Sequence, residues 1–158
     1  MIICKINLNE SYYCNYFNNQ NIKMKNDKND KNVKKDKNVQ LALPKEQVDL
    51  VLGLYSSGKI NEAIDAIKAL NGNYPNVPLL FNLLGACHNT LGQLDAAAQM
   101  FKTAFSIKPD YAEAYFNHGI ALRGLGQFDL AVESYKTAIE LIPNYPEAHN
   151  KLGITYID

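Results

Sequence analysis

Apolar positions along residues 44–158 recur with a helical period, and the stripes they form come in pairs separated by a glycine. Tyr115, His118, Gly119 and Leu122 stand at i, i+3, i+4 and i+7, the spacing of one helix face. Gly126 follows and supplies the backbone freedom of a tight turn. A second stripe then runs through Phe128, Ala131, Val132, Tyr135, Ala138 and Ile139. Pro143 closes it, because proline lacks an amide proton and its ring clashes with the preceding helical turn. The pattern predicts two antiparallel helices, neither able to bury its apolar face alone. Small residues such as Gly119 and Ala131 mark where the axes approach closely, and Tyr115 and Tyr135 fill the wider gaps.

The pair is one of a series. Pro75, Pro109 and Pro143 are 34 residues apart, and Gly58, Gly92 and Gly126 keep the same interval. Ala63, Ala97 and Ala131 form a third column, and Ile67, Phe101 and Tyr135 a fourth. A glycine column, Gly85, Gly119 and Gly153, has Val51 where its first member would stand. Independent columns agreeing on one period define units at 44–77, 78–111 and 112–145, with a partial unit at 146–158.

The second unit reads PLLFNLLGACHNTLGQLDAAAQMFKTAFSIKPDY and the third AEAYFNHGIALRGLGQFDLAVESYKTAIELIPNY. Their order of aromatic, Leu-Gly or its equivalent, aromatic, Ala, aromatic, Ala and closing Pro resembles the tetratricopeptide repeat family. The first unit departs from the pattern with Gln47, Val51 and Leu70 in the aromatic, glycine and alanine columns, which fits a terminal unit exposed on one side. The resemblance covers residues 44–158 and implies an all-α, right-handed helical-repeat solenoid: about three helix pairs plus one extra C-terminal helix.

The family's function implies a site on the first helices, which line a concave groove used to hold extended peptides or partner helices. By spacing from the buried stripe, that face carries Val48, Asp49, Leu52 and Tyr55, then Asn82, Leu83, Ala86, Asn89 and Thr90. It continues with Phe116, Asn117, Ile120 and Arg123, then Asn150, Lys151 and Ile154. Asparagine amides donate and accept at once, so they suit a peptide backbone whatever its side chains. The family's carboxylate clamp for acidic chaperone tails needs Lys, Arg and Asn at set places. Val48, Leu52 and Leu83 occupy three of them and only Asn117 matches, which disfavours a cochaperone role. Asn117 also matches the asparagine ladder of O-linked N-acetylglucosamine transferases, but Asn82 and Asn150 fall one residue outside that column.

Composition changes the picture at the N-terminus. Residues 1–40 carry eight Lys against four acidic residues, so a basic stretch precedes a body of net charge −4. Between Gln20 and Asn38 stand seven Lys, three Asp and five Asn, too little apolar surface to offset ordering entropy, which predicts a disordered arm over 1–40 before the repeat domain at 41–158. The Tyr-rich residues 1–19 have no clear period, and one reading makes Met24 the natural start. No signal-peptide h-region and no run of 18 apolar residues appears, so neither secretion nor a membrane span is expected. Cys4, Cys14 and Cys87 form no CxxC pair, which favours a reducing, cytoplasmic setting.

Catalysis finds no carrier. His88, His118 and His149 lie on successive first helices at stripe positions and step apart instead of converging, so they read as packing residues and not as metal ligands. Cys87 reads as a small buried hydrophobe. No phosphate loop, GxSxG elbow or HExxH is present, so neither catalytic residues nor cofactors are expected. Asp27, Asp30 and Asp36 interrupt the lysines, which disfavours nucleic acid. Two readings follow: a binding module for a protein or peptide, or the N-terminal recognition or oligomerising arm of a larger sulfotransferase or glycosyltransferase. The break after TYID favours the second modestly, and an uncapped last helix would also let the chain self-associate.

Overall fold

A computed structural model describes residues 43–157, and among these every regular element is helical. The readings of residues 1–40 lie outside that range. The helices are α1 (Lys45–Ser56), α2 (Ile60–Asn73), α3 (Pro78–Thr90), α4 (Leu94–Ile107), α5 (Ala112–Gly124), α6 (Phe128–Leu141) and α7 (Pro146–Thr155).

Each pair is closed by the same turn. Gly58, Gly92 and Gly126 have φ of 78°, 73° and 74°, a left-handed conformation that glycine adopts without steric cost. In the first turn the Gly58 amide donates to the Tyr55 carbonyl and the Lys59 amide to that of Leu54, which satisfies carbonyls the helix end leaves open. Gly92 with Gln93 and Gly126 with Gln127 repeat both bonds one and two units on. Proline works at the other end: Pro44 is the N-cap of α1, and Pro78 and Pro146 open α3 and α7, where a missing amide proton costs nothing.

Packing follows the columns. Ile67, Phe101 and Tyr135 are buried, as are Ala63, Ala97 and Ala131, so the second helices press large and small residues alternately onto the first. Burying a side chain such as Phe101 contributes about 1.5–3 kcal/mol. The backbones at Gly85 and Gly119 lie so close to the Phe101 and Tyr135 rings that an added Cβ would come within 2.6 Å of each. Between units, Phe105 of α4 stacks on Tyr115 of α5 at 4.2 Å, and within the third unit Phe116 meets Tyr145, the N-cap residue of α7, at 5.0 Å. Helices adjacent in sequence pack together, and α3 also touches α5, as α5 touches α7. First helices therefore lie side by side as one layer of an all-α solenoid.

The last helix is only partly covered. Leu152 packs in the cluster of Phe116, Tyr135 and Ala148, but a Cβ added at Gly153 would meet nothing within 4 Å. Tyr156 is 60% exposed, with Lys136 Nζ 5.9 Å from its ring centre. No second helix follows α7 among the described residues to press on Gly153.

Candidate functional site

The layer of first helices is tied together by polar side chains. Tyr55 of α1 and Thr90 of α3 share a hydrogen bond of 2.8 Å between their hydroxyls. Deeper, Asn117 Nδ2 donates to Asn82 Oδ1 at 3.2 Å, and Asn82 Nδ2 donates to Glu113 Oε1 at 3.3 Å. This relay joins α3 to α5 through two amides and one carboxyl. Both asparagines are fully buried, whereas Glu113 is half-buried. Burial pushes the Glu113 carboxyl up to about 7, against the opposing effect of the Asn82 hydrogen bond.

The relay corrects the expected groove. The sequence pattern puts Val48, Asn82, Leu83, Ala86, Phe116 and Asn117 on an open concave face, but all six are buried. Phe116 is held between Tyr135 at 6.0 Å and Tyr145 at 5.0 Å, so its ring belongs to the stack. The physical reason differs by residue: Asn82 and Asn117 are covered where neighbouring first helices meet, whereas Phe116 is covered by aromatic rings of its own unit. Residues that do reach the surface are Asp49, Leu52, Tyr55, Asn89, Thr90, Ile120, Arg123, Asn150, Lys151 and Ile154.

Glu113 was not legible as a groove residue, though a signal existed. Glu113, Asn117, Ile120 and Gly124 stand at i, i+4, i+7 and i+11, so extending the groove stripe back by one turn reaches it.

The histidines do not converge. His118 donates from Nδ1 to Ser134 Oγ at 3.0 Å, because that hydroxyl gives its own proton to the Leu130 carbonyl. Its ring also meets Phe105 edge-on at 5.2 Å. Burial, then the Lys102 charge, lowers its pKa to about 4, so it is neutral near pH 7. His88 braces the Gly92 turn through a 2.6 Å bond to Gln93 Oε1. His149 is exposed, not on a buried stripe, and bonds the Pro143 carbonyl through Nε2 at 3.0 Å. Among the described residues no group of three or more His, Cys, Asp or Glu is placed to hold a metal ion. Cys87 is a free, buried thiol, and burial pushes its pKa up to about 11, far from a thiolate nucleophile. No described helix is long and apolar enough to cross a membrane.

A first layer of helices, a glycine-turned second layer and a 34-residue period define a helical-repeat protein. The chain belongs to the tetratricopeptide repeat family: residues 48–112 match a tetratricopeptide repeat model and residues 119–158 a second TPR repeat model. No curated protein matches it closely enough to count as a relative. Solved structures do. The first TPR of Spaghetti (RPAP3) bound to the HSP90 peptide SRMEEVD is 25% identical with a TM-score of 0.70, over 75% of this chain and 96% of that one. The Yersinia enterocolitica type III secretion chaperone SycD, in complex with a peptide of the translocator YopD, is 24% identical at a TM-score of 0.66, over 71% and 91%. A Thermobaculum terrenum O-GlcNAc transferase mutant is 26% identical at a TM-score of 0.67, over 70% of this chain and 21% of that one.

Proposed function

We propose that the chain is a protein-interaction module that holds an extended peptide, or a segment of a partner protein, against its layer of first helices. The observation that carries this reading is the continuity of that layer: bonds from α1 to α3 and from α3 to α5 make one surface out of three units. Side chains reaching it alternate apolar Leu52 and Ile120 with polar Asp49, Asn89, Arg123 and Lys151, a mixture that offers burial and backbone hydrogen bonds together. Similar structures with bound peptides support the reading, since the Spaghetti and SycD domains were captured with peptide segments of other proteins.

Partner binding is tested by pull-down followed by affinity measurements on surface variants. Ile120→Ala and Asn89→Ala should each weaken the recovered partner, by about 1 kcal/mol for the amide and by more for a central apolar contact. Gln99→Ala and Glu133→Ala, on exposed faces of α4 and α6, should leave it unchanged. The opposite pattern moves the partner to the outer face and sinks the reading.

Likeness to the O-GlcNAc transferase favours a second reading, in which these repeats are the recognition arm of a larger transferase. Reading the gene beyond the Asp158 codon decides it. A downstream catalytic motif selects the arm, and a stop codon selects the free module.

A further inference from the structure

Glu113 stands out among the charged side chains of the first-helix layer. It opens α5 in the first turn, where the helix dipole favours an anion, yet its side chain is half-buried and burial raises its pKa. Oε1 accepts one long bond from a neutral amide, and among the described residues no lysine or arginine lies within ion-pair distance of either oxygen. A half-buried carboxylate bonded only by a neutral amide is poorly compensated for the water it has lost, and a cation from outside would relieve that cost. The Asn117–Asn82 pair fixes its orientation from behind, since Asn82 Oδ1 is engaged by Asn117 and its Nδ2 is thereby turned on Glu113. The side chain stays partly reachable from the surface. Arg123 lies ten residues further along the same helix, roughly 15 Å away along the axis, so the layer is acidic at the start of α5 and basic at its end.

We infer that Glu113 sets the specificity of the concave face, selecting segments that bring a lysine or arginine side chain to the start of α5 and rejecting segments that bring a carboxylate there. This deepens the proposed function and rests on it. The partner class is a basic extended segment of a protein, the reverse of the acid-ended SRMEEVD that the Spaghetti domain holds. An ammonium or guanidinium donates to Oε2 of the carboxylate while Asn82 keeps Oε1, and a carboxyl that is protonated releases its proton to water on binding.

The test selects a phage-displayed random twelve-residue library on the full chain and, in parallel, on Glu113→Gln, which keeps an oxygen for Asn82. Lys or Arg should be enriched at one aligned position by roughly fivefold or more on the native chain and lose that enrichment on the variant, as expected where one carboxylate selects the charge. The best peptide, synthesised with and without its basic residue, should lose about tenfold or more in affinity for the native chain and little for Glu113→Gln, the coupling of a charge-assisted hydrogen bond. SRMEEVD should not displace it. Binders that reach Ile120 but are neutral or acidic, or losses equal in both proteins, overturn the role of Glu113 and leave the groove standing. A library that yields no binder sensitive to Ile120→Ala overturns the groove reading and this inference together. Circular dichroism of Glu113→Gln must match the native spectrum, because a chain that has lost its helices would imitate the first result.

Discussion

Alanine normally stabilises a helix when it replaces glycine, by about 1 kcal/mol in an interior position. One column of this chain should invert that rule at two of its three glycines. A Cβ at Gly85 would lie 2.6 Å from Phe101 Cε1 and 2.7 Å from Cδ1, and at Gly119 2.6 Å and 2.8 Å from the matching atoms of Tyr135. Both rings are fully buried, so neither can swing aside without moving the second helix. Overpacking of this kind costs about 1–3 kcal/mol, which offsets the propensity gain of about 1 kcal/mol and leaves a net loss of up to about 2 kcal/mol, about 1 at the middle of the range. Gly153 stands in the same column with nothing within 4 Å, so Gly153→Ala should gain from a few tenths to about 1 kcal/mol, the lower part of the range because α7 is near its end. Urea unfolding followed by helical circular dichroism measures all three, with the midpoint read at constant slope. A second check is rescue: Phe101→Leu should recover part of the Gly85→Ala loss, because the two sites share one contact. Should Gly85→Ala or Gly119→Ala raise the midpoint as Gly153→Ala does, the close approach is not what holds the helix pairs together.

Phe116→Ala should lower stability by about 3–5 kcal/mol, as for a buried aromatic, and thermal melting will show whether the ring belongs to the stack. Glu113 has a raised folded pKa, so its contribution is full below pH 4.5 and is lost as pH rises to about 7; Glu113→Gln should flatten that decline and lift the melting temperature by a few degrees at pH 8. His118 runs the other way, with a folded pKa of about 4 below the ordinary 6.5, so its contribution is present above pH 6.5 and lost on acidification, and His118→Gln should flatten the acid side of the same melting profile. Ile154, Tyr156 and Ile157 are exposed at the last helix, so sedimentation at rising concentration should show self-association that Ile154→Lys with Ile157→Lys abolishes.

The helix pairs and their order were legible because many columns repeat one interval, and each column has a single physical duty. Gly58, Gly92 and Gly126 could be assigned to turns from spacing alone, and their positive φ gives the reason. The groove was less legible. Helical spacing tells which residues leave the stripe inside a pair, but burial of Asn82 and Asn117 depends on how closely the next unit's first helix approaches, a distance that no single unit encodes. Glu113 escaped for a related cause: an acidic residue at a helix start reads as a solvated first-turn anion, and only its bond to Asn82, 31 residues away, shows otherwise. His149 was misjudged because its column, shared with Phe81 and Tyr115, is only partly buried even in the complete units, and at the last helix it is exposed.

Val51 and Ile67 share one cluster in the first unit, whereas the second and third units set glycine against Phe101 and Tyr135. Bulk has been moved from one helix to the other at nearly constant sum. Repeats this similar risk mispairing while they fold, since α1 could close on α4, or α3 on α2, through the same small and apolar columns. Val51 would collide with the Phe101 ring in the first case, and Gly85 would leave a void beside Ile67 in the second. The swap thus gives the first unit its own address. The second and third units carry no such mark, since Gly85 would accept the Tyr135 ring about as well as Gly119 would accept that of Phe101. Slow or trapped refolding, if this chain shows it, belongs at the exchange of α4 with α6.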